Sequence, residues 1–484
     1  MNIKQISIIF IIALFVLGCK PEPEPEKPPI IPPDTRTVVL LTVGDSKDLN
    51  TLLNDEMNDK TLTWSSGSSS KVSVTSGGIA TAAITGFSDA EGGNKKYTDG
   101  PARAEVIITA KASDNTTQGF RVIATTEAQG KIMDLPPLKD RFPPEFLVGN
   151  IASSSFSSGS PLARHFNALT SENSMKPNAI APNQGSYNWS SDSFVDSAIA
   201  SGFKVIGHTL LWHSQIPQWQ KNIGTNVSSP VTPEQKEAAL TAMKTYITDV
   251  VDHFKGRIYS WDVLNEAFPD SGAGSNWKTA IRPENPWYKA IGSDFVYEGF
   301  LAARLADPGA ILYYNDYNTD STGRATLIRD MVRDVNQQYK TAFPSETRLL
   351  IEGIGMQEHH NNGVSAASVR NALTMFRLLG VKVSVTEIDV LGYQSYSDYS
   401  NAVKNGATYN KSTVTNNGLT TQAIRYQQYM EVYKDFIDTI ERITFWGLTD
   451  NQSWRSAGLP LLFDKDGKAK PAYYKFVGAI PTTW

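Results

Sequence analysis

Cysteine is nearly absent from this chain. Of 484 residues only Cys19 carries a thiol, so no intrachain disulfide can form. Histidine is scarce as well, with six in all. His208 and His213 lack the one-face helical spacing of a zinc pair, and no cysteine is near them, which argues against metal chemistry. An excess of one charge sign is also missing. Net charge is −4, acidic and basic residues are interspersed, and no basic stripe marks a nucleic-acid surface. The apolar run from Ile6 to Leu17 falls short of the ~20 residues that a membrane-spanning helix needs. The length allows two or three domains.

What is present is a pair of glutamates at the ends of two strand-like runs. Glu266 closes Arg257-Ile258-Tyr259-Ser260-Trp261-Asp262-Val263-Leu264-Asn265-Glu266, and Glu387 closes Val383-Ser384-Val385-Thr386-Glu387. A buried carboxylate is costly unless it is paired or put to use. Between the two lie two further strand-then-polar units, Ala310–Asn318 and Arg348–Gln357, which places Glu387 three strands after Glu266. In an eight-stranded parallel barrel all such strand ends gather at one mouth. Two carboxylates there fit the machinery of glycoside hydrolysis. Buried glutamates satisfied by arginines would leave the same trace in sequence.

Four segments carry a resemblance. Trp261-Asp262-Val263-Leu264-Asn265-Glu266-Ala267 resembles the acid/base segment of glycoside hydrolase family 10 endo-β-1,4-xylanases, and Thr386-Glu387-Ile388-Asp389 resembles that family's nucleophile segment. Gly207-His208-Thr209-Leu210-Leu211-Trp212-His213-Ser214-Gln215 and Trp446-Gly447-Leu448-Thr449-Asp450, followed by Ser453-Trp454-Arg455, are similar to two more, in the family's order. The likeness runs from about residue 140 to the C-terminus. It implies a (β/α)8 barrel and a retaining endo-xylanase, with Glu387 as nucleophile and Glu266 as general acid/base.

The resemblance also implies further cleft residues. Glu172, Asn173 and Lys176 would bind sugar hydroxyls on the non-reducing side, with a helix-start cluster in which Ser171-Glu172-Asn173 caps a helix as the bland alternative. His208 and Trp212 follow the third strand, and Asn265 would take the 2-hydroxyl. Gln357 and His359 follow the sixth strand, where His359 would orient Glu387 with Asp389 behind it. Trp446 and Trp454 would wall the sugar site with flat apolar faces. Xylan or xylo-oligosaccharides are the implied partners, no cofactor is implied, and the chain is expected to act as a monomer. The same machinery acting on cellulose or mannan, a non-catalytic glycan-binding protein and a structural adhesin are the competing readings.

Before the barrel the pattern differs. Residues 1–18 read as a targeting segment, with Lys4 ahead of the apolar run. Val16-Leu17-Gly18-Cys19 resembles a bacterial lipoprotein cleavage site, which would leave Cys19 as a lipid-bearing N-terminus on the outer membrane or cell surface. An ordinary secretory signal with an incidental cysteine is the alternative. Residues 19–34 hold a Pro/Glu-rich stretch, an extended tether that cannot form helix or sheet. Residues 35–127 alternate in short runs with Gly, Ser and Asn between them, which predicts a small all-β sandwich. Thr63-Trp64-Ser65-Ser66 and Ser76–Ala82 are similar to bacterial Ig-like modules, with Phe87–Gly100 as an insertion and Trp64 more suited to a core than to a ligand. Residues 128–144 read as a linker and 145–484 as the barrel.

Barrel strands are expected at Phe146–Gly149, Ala168–Ser171, Lys204–Gly207, Ile258–Asn265, Ala310–Asn315, Arg348–Gly353, Lys382–Glu387 and Arg442–Gly447. Helices are expected at Pro233–Phe254, Ser293–Ala306, Arg324–Tyr339 and Gln422–Ile440. Side-chain alternation puts Val383, Val385, Glu387 and Asp389 on one face, with the valines inside the barrel. Asn265 and Glu266, being neighbours, can both reach the cleft only if the chain turns or bulges there. The Tyr- and Ser-rich segment Gly392–Thr421 is either part of the cleft rim or a loose surface loop.

Overall fold

The computed structural model describes residues 36–42, 46–82, 103–125, 131–152, 157, 159–270 and 274–481. The targeting segment, Cys19, the tether and the Phe87–Gly100 insertion lie outside the described residues.

Among the described residues the N-terminal part is β-sheet apart from a 3-10 turn at Leu49–Leu52. β1 (Thr37–Thr42), β2 (Ser46–Asp48), β3 (Leu62–Ser66), β4 (Val72–Val74), β5 (Ile79–Ala82), β6 (Arg103–Ala112) and β7 (Thr117–Thr125) form two sheets, ordered β1-β7-β6-β3 and β2-β5-β4. All pairings are antiparallel except β1 with β7. Alternate residues of these short strands, among them Val39, Leu41, Val72, Ala80, Val106, Ile108, Phe120 and Val122, close one apolar core. Trp64 packs against that core, 5.8 Å from the ring of Phe120, as its setting among β-formers suggests.

The rest alternates strand and helix. The strands are β8 (Leu147–Ala152), β9 (Ala168–Ser171), β10 (Lys204–Leu211), β11 (Ser260–Asn265), β12 (Ile311–Asp316), β13 (Gly353–Met356), the short β14 (His359–Asn361), β15 (Lys382–Leu391) and β16 (Ile440–Phe445). The helices are α1 (Pro161–His165), α2 (Pro177–Ile180), α3 (Asp192–Ala200), α4 (Gln218–Thr225), α5 (Pro233–His253), α6 (Pro286–Ile291), α7 (Asp294–Ala306), α8 (Thr322–Ala342), α9 (Ala366–Arg377), α10 (Tyr396–Lys404), α11 (Asn416–Asp435) and α12 (Pro471–Ala479). Every barrel pairing is parallel, and β13 pairs with β15 to close the ring. This is a (β/α)8 barrel, and its strand C-termini converge on one face. α5 starts where its sequence requires. Thr232 accepts from the Gln235 N–H, Gln235 Oε1 accepts from the Thr232 N–H, and Pro233 fills the first turn.

Three expectations need correction. The sixth strand begins at Gly353, where the expected one ends, because Arg348 and Glu352 pair at the foot of the barrel instead. The C-terminal long helix ends at Asp435, and Ile440 already opens β16. The third concerns strand parity. Ser384 donates to the Tyr313 hydroxyl (3.1 Å) and Thr386 to Asn315 Oδ1 (2.6 Å), both on β12. β12 and β15 are separated by β13, so these contacts cross the barrel interior. Ser384 and Thr386 therefore face inward, while Val383 and Val385 belong to the apolar layer shared with the helices. The register against β16 shifts between Val385 and Ile388. That irregularity reverses the alternation and lets consecutive Thr386 and Glu387 both reach inside.

Glycines of β13 make room for this arrangement. A Cβ on Gly353 would lie 2.2 Å from the Tyr313 ring, and one on Gly355 would lie 2.3 Å from Asn315 Oδ1. Gly353→Ala is expected to destabilise the barrel by about 1–3 kcal/mol through overpacking. Urea denaturation checks this, and an unchanged midpoint would contradict the close packing of Tyr313.

Candidate active site

Both glutamates open into one cleft at the strand C-termini, with a volume of about 760 Å³. A somewhat larger groove of about 850 Å³ lies outside, along α5, but no strand end reaches it. The cleft is lined by Glu172, Asn173, Lys176, His208, Trp212, Asn265, Glu266, Gln357, His359, Glu387, Trp446 and Trp454. Asp389 is fully buried behind His359.

Glu266 follows the last residue of β11 with φ of +53°, and the β11 register shifts between Asp262 and Leu264. The bulge and the left-handed turn together bring Asn265 and Glu266 to the same side. The Glu266 carboxylate accepts from Trp212 Nε1 (2.9 Å) and Gln357 Nε2 (2.9 Å), and lies 3.9 Å from His213 Nδ1. Its backbone is held on both sides: its N–H donates to the Asn315 carbonyl, and its carbonyl accepts from Arg282 Nε. The Asn265 carboxamide lies within 3.3 Å of Glu266, Gln357 and Asn315 in either orientation of its O and N.

Glu387 sits deeper. Oε1 accepts from Asn315 Nδ2 (2.8 Å), and Oε2 lies 3.2 Å from His359 Nε2. The other His359 nitrogen stands 3.1 Å from Asp389 Oδ2, a charge contact at an angle poor for a hydrogen bond. Asp389 also pairs with the buried guanidinium of Arg455 and accepts from the Trp454 indole N–H (3.2 Å). Burial alone would drive the Glu387 carboxyl up. Hydrogen bonds from His359 and Asn315, with the charges of His208 and His359, outweigh it and hold Glu387 below the usual carboxylate range. Burial likewise opposes a charge on His359, but Asp389 and Glu387 prevail and raise it to about 9. Asp389 is depressed against its burial by Arg455 and His359. The line Glu387–His359–Asp389–Arg455 thus alternates in sign and is charged throughout at neutral pH.

The other expected residues occupy the cleft walls. Lys176 is nearly buried, which lowers its pKa. It donates to Asn173 Oδ1 (3.0 Å) and Gln215 Oε1 (2.6 Å). Ser171–Asn173 precede no helix directly, since α2 begins at Pro177, so the capping alternative fails at this point. His208 pairs with Asp262 (2.9 Å) and meets the edge of Trp446. Trp454 is 57% exposed, and its ring centroid lies 5.1 Å from that of His359.

Sequence reasoning missed several residues, among them Asn315, Arg455, Arg282 and Tyr396. Asn315 touches Glu387, Asn265 and Thr386. Arg455 holds Asp389, Arg282 supports Glu266, and Tyr396 adds to the rim. The only signals were a polar residue at a strand end for Asn315 and the place of Arg455 beside Trp454. The Gly392–Thr421 segment is a rim element rather than a loose loop: it folds into α10, a 3-10 turn at Tyr409–Lys411 and the start of α11.

Fold and site together define a (β/α)8 protein with two carboxylates in one polar cleft. Residues 138–479 match the profile of Glycosyl hydrolase family 10, and the chain belongs to that family. It is 32% identical over 355 residues to "Endo-1,4-beta-xylanase" of Geobacillus stearothermophilus, an alignment covering 71% of this chain and 98% of the relative. It is 33% identical over 390 residues to "Endo-1,4-beta-xylanase A" of Thermotoga maritima, covering 75% of this chain and 34% of that one. The match thus spans about a third of the length of that longer relative. Among solved structures, a "Bacterial Ig-like Domain Containing GH10 Xylanase from Termite Gut" shares 48% identity with a TM-score of 0.71, over 92% of this chain and 98% of the other.

The raised histidine gives a signed prediction. Its ordinary value is 6.5 and its folded value about 9, so its contribution to stability is complete below pH 6.5 and is lost as pH rises through 9. His359→Gln should therefore lower the thermal midpoint most near pH 6, with the gap to the unaltered chain narrowing towards pH 10. A gap constant over that range would contradict the assignment.

Proposed function

We propose that this chain is a retaining endo-hydrolase of β-1,4-xylosidic bonds in xylan, with Glu387 as nucleophile and Glu266 as general acid/base. One observation carries the reading: the two glutamates meet in one cleft through a shared set of carboxamides. Asn315 binds Glu387 and Asn265, and Gln357 binds Asn265 and Glu266. Retaining hydrolysis needs the two carboxyls roughly 5–5.5 Å apart, and a bridge one or two amides long is compatible with that spacing. The names of the xylanase relatives support xylan as the substrate.

In the first step a Glu387 oxygen attacks the anomeric carbon while the bond to the departing sugar oxygen breaks. Glu266 gives its proton to that oxygen. In the second step Glu266 takes a proton from water, whose oxygen displaces Glu387 and restores both carboxyls. His359, held cationic by Asp389, keeps Glu387 ionised for attack. Asn265 is placed to bind the 2-hydroxyl, a contact that tightens in the transition state. Glu172, Asn173 and Lys176 hold ring hydroxyls on the non-reducing side, with His208, Trp212 and Trp446 around the reacting sugar. Trp454, pinned by its N–H to Asp389, is the wall that a glucose hydroxymethyl group would meet and a xylose ring would not.

The proposal extends to the whole chain. Residues 1–18 are a lipoprotein signal, 19–34 a tether from lipid-bearing Cys19 and 35–127 an Ig-like spacer; the linker expected at 128–144 is corrected, because Ile132, Leu135, Leu138 and Phe142 pack into the barrel core, so the catalytic domain takes in this segment and runs on to 484. This arrangement would hold a monomeric enzyme at a bacterial membrane surface. Radiolabelled palmitate should enter the full chain and not its Cys19→Ala variant.

Reducing-end release from xylan, cellulose and mannan, assayed in parallel, tests the substrate. Strong release from xylan alone is expected, and release mainly from another glycan would overturn the specificity. Glu387→Ala should abolish turnover of every substrate. Glu266→Ala should lose about 10²–10⁴-fold on xylan while sparing the first step for aryl xylosides with good leaving groups. Equal losses on both substrates would contradict the roles. Shrinking Trp454 should lower the preference for xylosides over glucosides, and an unchanged ratio would count against it as the wall.

A further inference from the structure

Among the described residues only two aromatic side chains are more than half exposed, Trp454 at 57% and Tyr396 at 58%. Both line the cleft. Leaving a large apolar ring in water forgoes the gain of burying it, and exposed apolar surface gathered at a polar rim marks a place where something binds. Trp454 lies in a segment that the family shares. Tyr396 is the first residue of α10, in the segment Gly392–Thr421, outside the four segments that carry the family resemblance.

The ring is firmly mounted. Ser395 caps α10, its Oγ accepting from the Asp398 N–H (3.1 Å). Tyr396 lies 5.8 Å from Tyr399, and Tyr399 lies 6.0 Å from Tyr393. Beneath this layer Arg455 sits 5.8 Å from the Tyr399 ring and 5.6 Å from Trp454, and its guanidinium holds Asp389. None of the α10 side chains is buried, so the helix contributes little to the core. What it does contribute is an aromatic face at the cleft edge, tied through Arg455 to the group that steadies His359. Tyr396 shares the cleft with Glu266 and Glu387 but hydrogen-bonds to neither of them.

We propose that Tyr396 is a sugar-stacking platform that adds an outer subsite to the cleft. Its ligand is a pyranose ring of a β-1,4-linked chain, whose C–H face would lie on the phenol ring while its hydroxyls meet the wet edge. This rests on the glycanase reading above and gives that site a preference for long chains over short ones.

The test compares kcat/KM on xylohexaose with kcat/KM on an aryl β-xylobioside, for the unaltered chain, Tyr396→Ala and Tyr396→Trp. The ratio should fall about 3- to 10-fold in the alanine variant, through KM more than kcat, and should be retained in the tryptophan variant. An unchanged ratio in Tyr396→Ala, or equal losses on both substrates, would overturn the platform. If the unaltered chain hydrolyses neither substrate, the glycanase reading is what fails. Calorimetric titration of Glu387→Ala with xylohexaose and cellohexaose, with and without Tyr396→Ala, then decides the platform alone. Weaker binding of a hexaose without Tyr396 supports it. Equal binding, or none, overturns it.

Discussion

The site depends on a line of four charges, with Glu387, Asp389 and Arg455 buried and His359 partly buried between them. Glu387, His359, Asp389 and Arg455 alternate in sign from the cleft floor into the barrel wall. Each would be expensive alone in a low dielectric, and removing any one strands its neighbour without compensation. Together they leave the nucleophile candidate ionised although it is only 5% exposed. The line also reaches outward, since Trp454 donates to Asp389 and Arg455 lies near the rings of Trp454 and Tyr399. The aromatic rim and the charged floor are therefore one mechanical unit, and an Arg455 or Asp389 substitution would disturb both.

Regular strands could not hold this geometry. Strict alternation sends consecutive residues to opposite faces, yet Asn265 and Glu266 both reach the cleft, and Thr386 and Glu387 both reach Asn315. Each strand that leads to one of the two glutamates shifts its register just before or at it, β11 between Asp262 and Leu264 and β15 between Val385 and Ile388. Between them β12 supplies Asn315, and β13 supplies glycine where Tyr313 and Asn315 need space. The bulges thus cluster around the two cleft glutamates, where side chains have to be re-aimed.

Much of this was legible in the sequence. The two glutamates, the histidine and the tryptophans sit at strand ends that hydrophobic runs and turn residues already marked. Pro233 behind Thr232 located the start of α5. Ala168–Ser171 was delimited to the residue because polar segments bound it on both sides. Parity was not legible, because a strand buried on both faces shows no alternation to count: Ser384 and Thr386 look like outward polar residues and in fact face inward. Asn315 and Arg455 were passed over because their importance lies in what they touch across the barrel. The Gly392–Thr421 segment reads as a loop because Tyr, Ser and Asn hide the short amphipathic stretch of α10, which is held by a cap and a tyrosine layer rather than by a core.

The central claim is that Glu387, kept charged by His359, forms the bond to the sugar. The direct measurement is mass spectrometry of peptides after incubation with dinitrophenyl 2-deoxy-2-fluoro-β-xylobioside, whose fluorine slows release of a glycosyl-enzyme more than its formation. The account predicts a stoichiometric burst of dinitrophenolate and a single fluoroxylobiosyl adduct on the peptide containing Glu387. An adduct on the Glu266 peptide, or steady turnover with no adduct on any peptide, would contradict it.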